Sequence, residues 1–337
     1  MVRKPRQVPE NPRNRGIRHR RNPTSSQRGR EDESGGIANV GSMEIRRLTE
    51  DDRDALVAVR LPAFGTSTLG GDRVEHPAYE RWGLFVDGQL AATTTRKPYA
   101  SWFGGREVPT CGVGGVAIAP EFRGRGLLRP LMERLHDDAR SQGDVVSTLF
   151  ASAPGIYASL GYRTVGAMDT IDVDASTLHR FERRHELRRA TTDDVPTLQR
   201  IYAEWASRHD GPLTRTSVEF DHDAWLDDAT GVTLALDEGG RAVAYGAWNR
   251  SAGVGGDAHV EVEDLVWTDD AARDSLLWMF GTFSSVTPTI RFDTSGTELT
   301  DVLPEHRVRE HRPYDLLVLK PEAFEPPAGP VLIRDYF

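Results

Sequence analysis

Arg123-Gly124-Arg125-Gly126 is the stretch whose residue types and spacing are best suited to chemistry. Two arginines alternate with two glycines just before a run in which Leu128, Leu131, Met132 and Leu135 recur at helical spacing. Pro130 lacks an N–H and is tolerated only near a helix start, so the spacing predicts a first turn at about Gly126 to Arg129. A loop feeding a helix N-terminus offers unpaired N–H groups and the positive end of the helix dipole, while its glycines let an anion approach the backbone. The pyrophosphate of coenzyme A fits such a loop. The patterns of a P-loop and of a dinucleotide fingerprint are both missing here, and a basic surface turn before a core helix is the alternative reading.

Tyr157 is the second candidate. It lies in Ser152-Ala-Pro-Gly-Ile-Tyr-Ala-Ser-Leu-Gly-Tyr162, where Pro154 suits a first helical position and Gly161 a C-terminal cap. The pattern predicts a helix of one to two turns after a strand over 144–151. Ile156 and Leu160, four apart, are expected on its buried face, which directs Tyr157 toward a cleft. A packed tyrosine with a satisfied hydroxyl is the alternative.

The elements that must hold these residues are readable around them. Val113, Val116, Ala117 and Ile118 form an apolar strand ended by Pro120, so the basic loop joins a strand to a helix. Upstream, the strand MEIRRL leads to Thr49 and Asp52, a capping-box pattern opening a helix through Leu56 and Val59. The phrase from Ile45 to Leu56 returns from Leu187 to Leu198, with Thr191 and Asp194 as the second cap, and the Asp87-Gly88 hairpin signal is echoed around Gly239-Gly240. This is an internal duplication. The reading is a basic tail over 1–42, a first α/β domain over 43–178, a similar second domain over 186–320 and an appended Pro-rich tail over 321–337.

The strand, the R-x-x-G-x loop with its helix, and the strand and short helix ending in Leu160-Gly161-Tyr162 together resemble the GNAT N-acetyltransferase superfamily. The phrases VAIAPEFRGRGLLR and GIYASLGY, the repeated second domain and the final Asp-Tyr-Phe look like the Eis (enhanced intracellular survival) family of amine acetyltransferases. The first resemblance covers about residues 43–175, the second extends more loosely to about 320. They imply tandem GNAT-like domains with a mixed α/β sheet, the second degenerate, and acetyl-CoA as co-substrate without a metal. They also imply direct transfer of the acetyl group to a primary amine in a ternary complex. Pantetheine would contact Val116, Ala117 and Ile118, the pyrophosphate would meet Arg123, Gly124, Arg125, Gly126, Leu127 and Leu128, and Ser152 would lie beside the cofactor. Tyr157 would be the general acid that protonates the leaving thiolate.

Leu128 stands where the family usually has a small residue, a substitution that also looks Eis-like. Eis-like chains carry a third, sterol-carrier-like domain whose terminal carboxylate serves as base, and this sequence stops short of it. The expectation is that Phe337 supplies that carboxylate; a bound water, Glu80 or Glu107 are the alternatives. In the second half, His259–Trp267 is followed by Thr268-Asp-Asp-Ala-Ala-Arg-Asp274, an acidic stretch that would repel a pyrophosphate. Trp205, Trp248, Trp267 and Trp278 are expected to be core.

Charge and composition limit the rest. Residues 1–42 hold ten basic and four acidic residues, and the remainder 32 against 47, so the folded part is acidic and unsuited to nucleic acid. The lone Cys111 forms no internal disulfide and reads as core, and the histidines lack ligand spacing. With no apolar run long enough for a span and no apolar leader core, the expected setting is cytoplasmic, with no membrane partner. A homo-oligomer follows from the resemblance alone. Two rival readings are a CoA-binding regulator or pseudoenzyme of the same fold, and an interaction protein acting through its basic tail. The acceptor class stays open among aminoglycosides, polyamines, lysine side chains and small metabolites; an acidic cleft would favour polycations.

Overall fold

The computed structural model describes residues 42–65, 73–253, 255–256 and 258–335. The expected N-terminal tail lies outside these apart from Ser42. The first run of elements is β1 (Met43–Arg47), α1 (Arg53–Phe64), β2 (Glu80–Val86), β3 (Gln89–Phe103), β4 (Arg106–Ile118), α2 (Leu128–Ser141), β5 (Val146–Phe150), α3 (Pro154–Ala158) and β6 (Arg163–Asp174). The second run is β7 (Glu186–Arg189), α4 (Val195–Ala206), α5 (His222–Asp228), β8 (Gly231–Leu236), β9 (Ala242–Arg250), β10 (His259–Trp267), α6 (Asp270–Gly281), β11 (Thr289–Thr294) and β12 (His306–Val318).

The repeated cap is built twice with the same chemistry. The N–H of Thr49 donates to Asp52 at 2.9 Å and that of Thr191 to Asp194 at 2.9 Å. Each carboxylate also accepts a two-pronged guanidinium, Arg46 at 2.7 and 2.7 Å and Arg188 at 2.7 and 2.6 Å. These hydrogen bonds hold Asp52 below the usual carboxylate range and bring Asp194 down to about 2. Between β2 and β3, Asp87 and Gly88 have φ of 49° and 78°, the left-handed pair that a two-residue hairpin demands.

Among the described residues, twelve strands lie in one mixed sheet, ordered β1-β2-β3-β4-β5-β12-β6-β11-β10-β9-β8-β7. The order is the same read outward from the β12–β6 junction in either direction, because each half lends its last strand to the other. β12 pairs with β5 through Tyr314↔Phe150 to Val318↔Val146, and β6 pairs with β11 through Thr289↔Asp174 to Thr294↔Asp169. The join between β12 and β6 runs from His306↔Val173 to Leu316↔Arg163. The two halves are therefore welded by backbone hydrogen bonds rather than merely docked.

The first half's core gathers Leu56, Val59, Leu84, Leu131, Met132, Leu135 and Tyr162 between α1, α2 and the sheet. Cys111 is fully buried in it, and burial pushes its thiol up to about 12, so it is inert. Trp205, Trp248 and Trp267 are buried as expected, while Trp278 is half-buried beneath Arg183. The C-terminal segment, expected as a mere appendage, is packed: Val331, Leu332 and Ile333 are buried, and Leu332 N–H donates to the Asp210 carbonyl at 2.8 Å.

His136 on α2 is buried in this core, its Nε2 2.8 Å from the Tyr162 hydroxyl, which lies 2.7 Å from the Ser147 hydroxyl. Burial pushes the imidazole down to about 4 from 6.5. The unfolded chain therefore takes up the proton first as pH falls from 6.5 toward 4, and this site removes up to about 3 kcal/mol of stability across that window. Urea unfolding at pH 7 and pH 4.5 checks this: His136→Gln should show a smaller loss between the two pH values than the parent chain.

Candidate active site

β4 and β5 run parallel and pair only through Thr110↔Val146, Cys111↔Ser147 and Gly112↔Thr148. Beyond Gly112 the strands part: β4 continues to Ile118 beside β3, while β5 continues to Phe150 beside β12. The cause is local. Gly115 has φ +59° at a bulge where the β3 register shifts between Thr93 and Thr95, and the bulge turns β4 away. A notch opens with Val116, Ala117 and Ile118 on one wall and β5 with the start of α3 on the other. Ala117 is buried and its two neighbours are half-buried.

At the end of that wall the chain turns through Arg123-Gly124-Arg125-Gly126 into α2. Gly124 and Gly126 have φ of 76° and 74°, and a Cβ on either would meet nothing, so the loop faces open space. Among the described residues, the N–H groups of Gly124, Arg125, Gly126 and Leu127 have no hydrogen-bond partner. Four donors at the positive end of a helix dipole are the donor set an anion needs. Arg123 and Arg125 are exposed and anchored locally, the first to the Ile118 carbonyl at 3.3 Å and the second to that of Glu121 at 3.1 Å and against the Phe122 ring. The Leu127 side chain is core and Leu128 half-buried, so these two contribute backbone rather than side chain to the loop.

Across the notch, α3 begins after exposed Ser152. Tyr157 is 6% exposed and packs edge-on against Tyr162, their ring centroids 6.0 Å apart. Burial raises its pKa above 10, so it is a protonated donor at neutral pH. Among the described residues its hydroxyl has no hydrogen-bond partner. The expected placement of Ile156 is overturned: it is 50% exposed, and Tyr157 takes the inward face. A helix of five residues has no stripe of its own, and Tyr162, returning beneath it with its N–H bonded to the Tyr157 carbonyl at 3.2 Å, selects the inward side.

The candidate bases fare differently. The Glu80 carboxylate is engaged by Arg47 at 3.1 Å and Arg96 at 3.5 Å, and Glu107 is exposed near the β3–β4 turn. Phe337 lies outside the described residues. A carboxylate that sequence reasoning missed is Glu219, which pairs with Lys97 at 2.6 Å and accepts from the Tyr99 hydroxyl. It reaches the first half because the segment before it hydrogen-bonds along β3, with Trp102 N–H on the Pro212 carbonyl and Thr214 N–H on that of Ala100, each at 2.8 Å. No local signal marks Glu219. With Arg60, Phe64, Tyr79, Arg81, Thr95, Lys97, Gly114 and Gly115 it lines a cavity of about 280 Å³ next to the notch.

In the second half the equivalent turn is capped by a side chain of its own. Asp269 caps α6 by accepting from the Ala272 N–H at 2.8 Å, and Asp270 and Asp274 flank the same turn. Among the described residues there is no cluster with metal-ligand spacing and no helix long and apolar enough to cross a membrane.

A parallel pair that splays beside an anion-ready loop defines the class of domain. Residues 44–165 match the family described as acetyltransferase (GNAT) domain, and this part of the chain is similar to it. More particularly, the chain resembles the Eis N-acetyltransferases: it is 33% identical to N-acetyltransferase Eis of Mycobacterium tuberculosis over 127 residues, 34% of this chain and 30% of that protein. The match thus spans under a third of that relative's length. Among solved structures, a GCN5-related N-acetyltransferase from Kribbella flavida superposes with a TM-score of 0.69 at 25% identity, covering 84% of this chain and 72% of that one. Eis1 from Mycobacterium abscessus shares the fold, with a TM-score of 0.62 at 20% identity over 84% and 74% of the two chains.

Proposed function

We propose that the protein transfers an acetyl group from acetyl-CoA to a primary amine. The observation that carries this reading is the parting of β4 from β5 after Gly112↔Thr148, with the unpaired N–H groups of the Gly124–Leu127 loop at its mouth. Those N–H groups would hold the pyrophosphate, the free edge of Val116–Ile118 would receive the pantetheine amides, and Ser152 would lie beside it. The amine nitrogen attacks the thioester carbonyl, the C–N bond forms as the C–S bond breaks, the Tyr157 hydroxyl protonates the departing thiolate and a base accepts the amine proton. For the base we retain Phe337. Two residues before it, Asp335 is held by Arg215 at 2.8 Å and accepts from the Tyr202 hydroxyl at 3.3 Å, which anchors the described tail. The second half serves to wall the acceptor side, as Glu219 illustrates. A homo-oligomer and a cytoplasmic setting belong to the same proposal.

The test is thiol release from acetyl-CoA against a panel of amines, run beside Gly124→Val. Amine-dependent release is expected, with KM for acetyl-CoA rising about tenfold or more in the variant, because a branched residue at φ +76° distorts the loop. Acetyl-CoA binding without release by any amine would instead favour a CoA-binding regulator.

A further inference from the structure

α2 follows directly on the anion loop, and two of its side chains reach across to the elements that hold Tyr157. The Arg129 guanidinium, on the first turn, donates to the Ser159 carbonyl at 2.8 Å. Ser159 ends α3 two residues after Tyr157, and a helix-end carbonyl is a group that a guanidinium satisfies. His136 lies seven residues further on and so on the same face of α2. Its Nε2 is 2.8 Å from the hydroxyl of Tyr162, the ring against which Tyr157 packs. Arg129 and His136 thus hold α3 at its end and from beneath, from points about 10 Å apart along α2.

α3 needs such support. A helix of five residues is too short to be stable by itself, and of its described side chains Tyr157 is buried while Ile156 and Ala158 are exposed. The Arg129 side chain is 54% exposed, so its bond to Ser159 adds little to global stability. What that bond fixes is a geometry, and Glu133, 3.6 Å from the same guanidinium, orients it from the next turn. Resting on the acetyltransferase reading of the same site, we infer that Arg129 is a positioning residue for Tyr157. An anion seated on the Gly124–Leu127 loop steadies the first turn of α2, Arg129 passes that constraint to the Ser159 carbonyl, and the Tyr157 hydroxyl is thereby held toward the departing sulfur. Occupation of the cofactor loop and placement of the acid are one coupled event.

The test uses the full chain, with thiol release from acetyl-CoA measured on the best amine of the panel. Arg129→Gln should lower kcat about 10- to 100-fold, up to the cost of moving a catalytic group by about 1 Å, with KM for acetyl-CoA within about twofold of the parent. Arg129→Lys keeps a donor and should recover part of kcat. Made in a Tyr157→Phe chain, Arg129→Gln should change kcat by less than about twofold, because no acid remains to be misplaced. A full multiplicative loss in that chain, or a rise in KM at unchanged kcat, would overturn the inference. Amide hydrogen exchange over residues 152–162 reads the same coupling without turnover: coenzyme A should slow it in the parent and not in Arg129→Gln. Equal slowing in both chains, or in neither, would overturn the inference. Exchange that behaves as expected, with no release from any amine, would uphold the coupling and overturn the acetyltransferase reading instead.

Discussion

Tyr157→Phe is expected to lower turnover about 10²- to 10⁴-fold, the range for loss of a positioned general acid, while KM values stay within about twofold. The structure makes this a clean substitution. The phenol packs against Tyr162 through its ring, and its hydroxyl has no partner among the described residues, so removing the oxygen strands no other polar group. Thermal unfolding of the variant should match the parent. Because burial raises the phenol above its usual 10, any alkaline limb in kcat that belongs to Tyr157 should lie above pH 10 in the parent and vanish in the variant. Steady-state rates across pH check both points; turnover within about threefold of the parent would return Tyr157 to a packing role.

The largest effect on stability should come from Arg215. Its guanidinium joins Asp264 at 2.6 Å to Asp335 at 2.8 Å, lies 3.9 Å over the Tyr202 ring, and reaches the Tyr245 hydroxyl at 3.3 Å. Asp264 is 2% exposed, and burial raises the pKa of Asp335. Arg215 also holds the left-handed backbone, φ 55°, rare for a residue with a side chain. Arg215→Met would leave two buried carboxylates without a counter-charge, at a cost of about 3 to 5 kcal/mol. Urea denaturation should show this as a lowered midpoint at unchanged slope. Adding Asp264→Leu to the same chain should recover part of the loss, because it removes a stranded charge; a further loss would mean that packing, and not charge, sets the cost.

The Arg215 cluster also shows where sequence reading stops. Its members are separated by 49 and 120 positions, and the residues around each carry no mark of the others. The same holds for Glu219, which is 122 positions from Lys97, and for the exchange of β6 and β12. By contrast, the caps at Thr49 and Thr191, the Asp87-Gly88 hairpin and the start of α2 were all legible, because each is decided by residues within about four positions of one another.

The candidate site divides along the same line. By itself the sequence determined that a glycine-rich basic loop enters a helix, that a short helix carries Tyr157, and that the whole pattern occurs twice with the loop lost in the second copy. Periodicity and capping chemistry act over one or two turns, so they survive in a linear reading. Only the tertiary structure decided that β4 leaves β5 at Gly112, that Tyr157 and not Ile156 faces inward, and that the halves share one sheet through exchanged strands. Each of these depends on which distant backbone fills a ladder position or which distant charge shares a desolvated space. Such pairings are settled by the competition of all segments for burial and hydrogen bonds, which no stretch of sequence records locally.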